Sequence, residues 1–241
     1  MRREIDDKNI LDKFAEEFVR IVEKYCKYII VSGFVAIAHG RTRGTEDIDM
    51  IIESISKDEF IFLHEDLINN GFECIQSENP EIIYDSYLRQ NTSVRYTWKD
   101  KFLPEMEVKF AKDELDELQI ITRKKLPFTG LDVYFSSIEM NIAFKEEYLK
   151  SDKDMEDAKH LRIIYKGKIN EDEISDIAWK IRHSVLGQCG ELPKNFKYKE
   201  ELNKVGLVND NRLTKKGFEI YLNLQPWYNN QPETQMPDLR F

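Results

Sequence analysis

The sequence predicts an α+β fold, a mixed β-sheet flanked by helices and followed by a small helical C-terminal region. Three observations carry this. Short β-rich runs and helical periodicities alternate irregularly through the first two-thirds of the chain, which argues against a repeating βαβ array. Several Ser-x-x-acid signatures announce helix starts. From about residue 167 the strand signal gives way to helical spacing, which places a boundary between 1–166 and 167–241.

Apolar side chains at Ile10, Leu11, Phe14, Phe18, Ile21, Val22 and Tyr25 predict a helix over 9–26. "YIIV" at 28–31 predicts a strand that ends at Ser32-Gly33, and "FVAIAH" a short buried helix stopped by Gly40. "IDMII" at 48–52 is the next strand; Ser56 with Glu59 then opens a helix over 57–70 that Asn70-Gly71 stops. "FECIQ" and "SVRYTW" (93–98) read as strands. "EMEVKF" (105–110) alternates cleanly, with Glu105, Glu107 and Lys109 on one face and Met106, Val108 and Phe110 on the other. After a strand in "LDVYF" (131–135), Ser136 with Glu139 and Ser151 with Asp154 mark two more helices, and Asn170 with Glu173 a third. The stretch "LNKVGLVNDNRLTKKGFEIYLNL" reads as helix, turn, helix. The last segment, "QPWYNNQPETQMPDLRF", predicts an extended tail docked through Trp227, Tyr228 and Phe241.

The 241 residues carry a net charge of −9 with 34% charged side chains, a balance that argues against broad adhesion to nucleic acid or anionic membrane while leaving room for a local basic site. No apolar run approaches the ~18–20 residues of a membrane span, and the charged N-terminus has no signal-peptide core. Three widely spaced cysteines, Cys26, Cys74 and Cys189, offer no zinc-ligand pattern. A cytoplasmic protein with reduced thiols is the expectation.

The chemistry concentrates in "VSGFVAIAHGRTRGTEDIDMIIE" (31–53). Strand alternation sends Asp47 and Asp49 to one face with Ile48 on the other, an arrangement whose repulsion a shared divalent cation would relieve. Hard carboxylate oxygens suit Mg²⁺ held together with substrate phosphates. A third carboxylate on a neighbouring strand would complete a two-metal site with ions ~3.5–4 Å apart. Glu107, mid-strand, is the first candidate; Glu105, beside Pro104, is the fallback on the same face and Asp132 the next to try. Gly33, without a Cβ, admits close approach of a phosphate, Ser32 adds a hydroxyl donor, and Arg41 and Arg43 suit bidentate phosphate contacts.

"SGFVAIAHGRTRGTEDIDMII" resembles the signature of the DNA polymerase beta-like nucleotidyltransferase superfamily. It is most similar to the branch of small antibiotic-modifying and abortive-infection toxin-type enzymes. Gly33, His39, Gly40, Arg43, Thr45, Asp47 and Asp49 fall in register with that signature, and Ser32 replaces its first glycine. "YFSSIEMNIAFKEEYLKSDKDMEDAKHL" (134–161) resembles the later segment of the same branch, in which a capped helix carries a lysine, here Lys145, before an acidic helix. The resemblance covers about residues 25–165. It implies a nucleotidyltransferase-type sheet and transfer of a nucleoside monophosphate from an NTP, with Mg²⁺ (or Mn²⁺) and release of pyrophosphate. Asp47, Asp49 and Glu107 would hold the metal, and Ser32, Gly33, Arg43, Thr45 and Lys145 would bind the nucleotide. The acceptor is a hydroxyl, with RNA or tRNA, protein and small molecule all fitting. The competing reading is a catalytically silent fold of the same kind, used as a binding or regulatory module. His39 reads as a buried helix-end hydrogen-bonder. The C-terminal region reads either as a small nucleic-acid-binding module or as a part that packs against the catalytic domain.

Overall fold

The computed structural model describes residues 8–42, 44, 45, 47–181, 199–209, 212–214 and 217. Arg43, Cys189, the second helix of the 202–224 stretch and the extended tail with Trp227, Tyr228 and Phe241 lie outside the described residues. The chain forms two compact units, Met1–Ser175 and Asp176–Phe241.

The first unit runs α1 (Ile10–Val22), β1 (Tyr28–Val31), α2 (Gly33–Ala38), β2 (Asp47–Ile52), α3 (Lys57–Asn69), β3 (Phe72–Cys74), the short α4 (Pro80–Ile82), β4 (Val94–Trp98) and β5 (Glu105–Phe110). It continues through α5 (Glu114–Ile121), β6 (Lys124–Lys125), β7 (Tyr134–Phe135), α6 (Ile138–Phe144), α7 (Asp152–Ile164) and the first half of α8 (Glu171–Lys180). Seven strands make one mixed sheet in the order β3-β4-β5-β2-β1-β7-β6. The β2 strand is central, antiparallel to β1 and parallel to β5. None of the described helices is long and apolar enough to cross a membrane.

Local signals set the helix starts. Asn9 and Asp12 close a capping box on α1, as Ser56 and Glu59 do on α3, and Ser151 accepts from the Asp154 N–H on α7. Such caps contribute about 1 kcal/mol each. One expected cap moves. Ser137, not Ser136, accepts the Met140 N–H and starts α6, while the Ser136 hydroxyl accepts from Asn141 Nδ2 at 2.7 Å.

The two faces of the sheet differ. Tyr28, Ile30, Ile48, Met50, Ile52, Met106, Val108 and Phe110 share one face and are all buried. Towards β3 and β4, α1 adds an aromatic cluster: Phe14 lies 4.9 Å from Trp98 and Phe18 lies 5.1 Å from Phe72, both edge-on. Edge-on pairs add about 0.5–1.5 kcal/mol beyond the area they bury. The opposite face is only partly covered. Ile120 of α5 packs there on Ile29 and Ile51, with Val31 and Ala111 at the margin. By strand alternation Asp47, Asp49, Glu105 and Glu107 belong to this same face.

The second unit contains α9 (Lys199–Lys204) and an antiparallel pair, β8 (Val208–Asn209) with β9 (Arg212–Leu213). Of the expected helix, turn, helix, the described residues hold the first helix and the turn, which is built as a two-stranded hairpin. Gly206, at φ 72°, ends the helical turn, and the Thr214 N–H donates to the Leu207 carbonyl as the next residues pair as strands.

Candidate active site

The β1–α2 turn, the start of β2 and the start of β5 meet at one end of the three central strands. Val31 pairs with Asp49, Asp49 with Glu107, and Asp47 with Glu105. The turn, both aspartates and the first-choice third carboxylate therefore lie on adjacent strands.

Asp47 is exposed, and its Oδ1 accepts from Thr45 Oγ1 at 2.8 Å. Thr45 thus orients a carboxylate in this structure. Asp49 is half-buried. Burial raises its carboxyl above the usual range, the Ser32 hydroxyl bonded to it pulls the other way, and the charges of Asp47 and Glu107 push it up again. Glu107 is held on both oxygens. Ser93 Oγ donates to Oε1 at 2.7 Å, and Arg95 donates to Oε2 from Nε at 3.3 Å and Nη2 at 3.2 Å. Arg95 Nε also lies 3.6 Å from Glu105. Among the described residues, no three His, Cys, Asp or Glu side chains are grouped so as to hold a metal ion. The donor set nonetheless fits a hard divalent cation at Asp47 and Asp49: the carboxylates share a strand face, and the charges of Asp47 and Glu107 add to the burial that raises the Asp49 carboxyl.

Ser32 stands at φ 65° and ψ −136°, backbone space that glycine enters far more readily than serine. This is the position at which the resembling signature carries glycine. Serine keeps the strain and gains the hydroxyl beside Asp49. Ser32→Gly should therefore unfold at a higher urea concentration than Ser32→Ala, which retains the strain and loses the hydroxyl; the expected gap is about 1 kcal/mol or more. Equal midpoints would show that the turn is unstrained.

Lys145 is buried, 1% exposed at its side chain, and its Nζ lies 3.0 Å from Asp157 and 3.3 Å from Asp154. Arg41 also contacts Asp157 and Glu156, and its Nη1 donates to the Lys153 carbonyl at 3.0 Å. These bonds tie the loop that leads to Asp47 onto α7. His39 is buried as expected: its Nδ1 is bonded to the Val35 carbonyl at 2.6 Å and its Nε2 to the Tyr165 hydroxyl at 2.8 Å. Burial lowers its pKa, which favours the neutral ring. Asp132, the last fallback ligand, is exposed and paired with Lys125. Sequence reasoning passed over Ser93 and Arg95. For Arg95 a signal exists, because "SVRYTW" run antiparallel to "EMEVKF" sets Arg95 directly opposite Glu107.

No protein-family model and no curated protein sequence matches this chain. Solved structures do show similarity. The solution structure of the antibiotic-resistance factor ANT(2'')-Ia is 14% identical with a TM-score of 0.47, over 73% of this chain and 94% of that one. A crystal structure of an antigenic nucleotidyltransferase-like protein from Paracoccidioides brasiliensis is 16% identical with a TM-score of 0.44, over 74% of this chain and 89% of that one. A crystal structure of ANT(2'')-Ia in complex with adenylyl-2''-tobramycin is also 16% identical with a TM-score of 0.44, over 73% of this chain and 99% of that one.

Proposed function

We propose that this chain is a divalent-cation-dependent nucleotidyltransferase that moves a nucleoside monophosphate from an NTP to a hydroxyl acceptor. The observation that carries the reading is the register of Val31, Asp49 and Glu107 across three adjacent strands. It gathers the Ser32-Gly33 turn, the Asp-x-Asp pair and a further carboxylate at one end of the central strands.

Asp47 and Asp49 would hold Mg²⁺ or Mn²⁺, with Glu107 as the third ligand. When bound, the cation neutralises charge on the triphosphate and on the leaving pyrophosphate. The chain's own groups supply position. Thr45 fixes the Asp47 carboxylate, Ser32 the Asp49 carboxylate, and the absence of a Cβ at Gly33 leaves room for a phosphate at the turn. Arg43 adds a cation to the same loop in sequence.

The test is incubation with each labelled NTP, Mg²⁺ and a cell lysate, followed by identification of the labelled molecule. Label should appear with the wild-type protein and be absent with Asp47→Asn. A second reading, a catalytically silent module, draws on the engagement of Glu107 by Ser93 and Arg95. It predicts no label from any NTP together with an undiminished NTP affinity in Asp47→Asn.

A further inference from the structure

Arg95 stands where the proposed cation reading would not place a positive side chain. It projects from β4 opposite Glu107, donates twice to one Glu107 oxygen, lies near Glu105 and adds its charge to the field that includes Asp47. Its side chain is 48% exposed, against 24% for Glu107 and 21% for Glu105. The guanidinium can therefore leave for water at little desolvation cost, while the strand ladders hold the carboxylates in place.

We propose that Arg95 is the resident counter-charge of these carboxylates, and that a divalent cation must displace it from Glu107 to complete its ligand set. The proposal rests on the cation reading above and adds a competitor to it. A guanidinium and a divalent cation repel each other across a shared carboxylate, and Glu107 cannot give its full charge to both. The arrangement suppresses repulsion among Asp47, Asp49 and Glu107 in the cation-free protein and raises the cation concentration needed to fill the site. Ser93 has the complementary part. Its hydroxyl carries no charge and holds the other Glu107 oxygen, so the carboxylate stays oriented when Arg95 swings away.

The measurement is Mn²⁺ binding to the isolated protein without nucleotide, read by electron paramagnetic resonance titration and by the Mn²⁺-induced rise in Tm. Arg95→Gln should bind Mn²⁺ about 10-fold more tightly than wild type and show the larger Tm rise. It should also start from a lower Tm without metal, because the carboxylates then lack their counter-charge. In the Glu107→Gln background the Arg95→Gln gain should vanish, since the contested carboxylate is gone. Asp49→Asn measured in parallel reads the cation site itself. Binding that is lost in Asp49→Asn but equal or weaker in Arg95→Gln overturns the counter-charge proposal and leaves the site standing. A gain from Arg95→Gln that persists in Glu107→Gln overturns it as well. Absence of Mn²⁺ binding in wild type, Arg95→Gln and Asp49→Asn alike overturns both the proposal and the cation reading.

Discussion

Asp49→Asn should abolish nucleotidyl transfer, by about 10²-fold or more, while raising the stability of the metal-free protein at neutral pH. The loss follows from removing a charge where phosphoryl transfer depends on electrostatic stabilisation. The gain follows from linkage. Burial and the neighbouring Asp47 and Glu107 raise the folded-state pKa of Asp49 above its ordinary 3.8. The native state therefore binds the proton more tightly than the unfolded chain does, and wild-type stability falls as pH rises from near 3.8 through that raised value. Below this window Asp49 is protonated in both states and the advantage of the variant disappears. Urea unfolding of both proteins in chelator at acidic and neutral pH, beside a transfer assay, checks both halves. A variant that is no more stable at neutral pH would show that Asp49 is well compensated in the empty site, and one that keeps full activity would remove it from the chemistry.

Lys145→Met should cost stability, about 3–5 kcal/mol, rather than substrate affinity alone. The ammonium is buried against Asp157, whose side chain is fully buried, and removing it takes away one of the cations facing that carboxylate. The urea midpoint should fall by about 1 M or more. Asp154→Asn should do less, since Asp154 is partly exposed and also accepts from Ser151. If Lys145 instead serves the triphosphate, as the resemblance implies, the variant will keep its midpoint and lose NTP affinity. Calorimetric titration alongside unfolding separates the two results.

Much of the site's frame was legible because it depends on short-range pattern. The alternation of "DIDMII" places Asp47 and Asp49 on one face, and "EMEVKF" repeats the pattern with Glu105 and Glu107. Ser56 and Glu59 fix the start of α3 by a bond between neighbours in sequence. What escaped depends on distance in the chain or on a local tie. Arg95 reaches Glu107 only once the β4–β5 register exists, and Arg41 meets Asp157 across most of the unit. Ser136 and Ser137 are chemically identical candidates for one cap, and backbone geometry alone selects the second.

The central position of β2 has a kinetic consequence. Its antiparallel partner β1 is close in sequence, but its parallel partner β5 follows only after α3, β3 and β4, and β7 joins β1 later still. Pairings between distant segments pay loop-closure entropy before they gain contacts, so they form slowly. During synthesis the Asp-x-Asp strand emerges long before the strand carrying Glu107, so the carboxylates cannot be gathered until β5 has been made. A nascent chain released before residue 105 would hold both aspartates and no site.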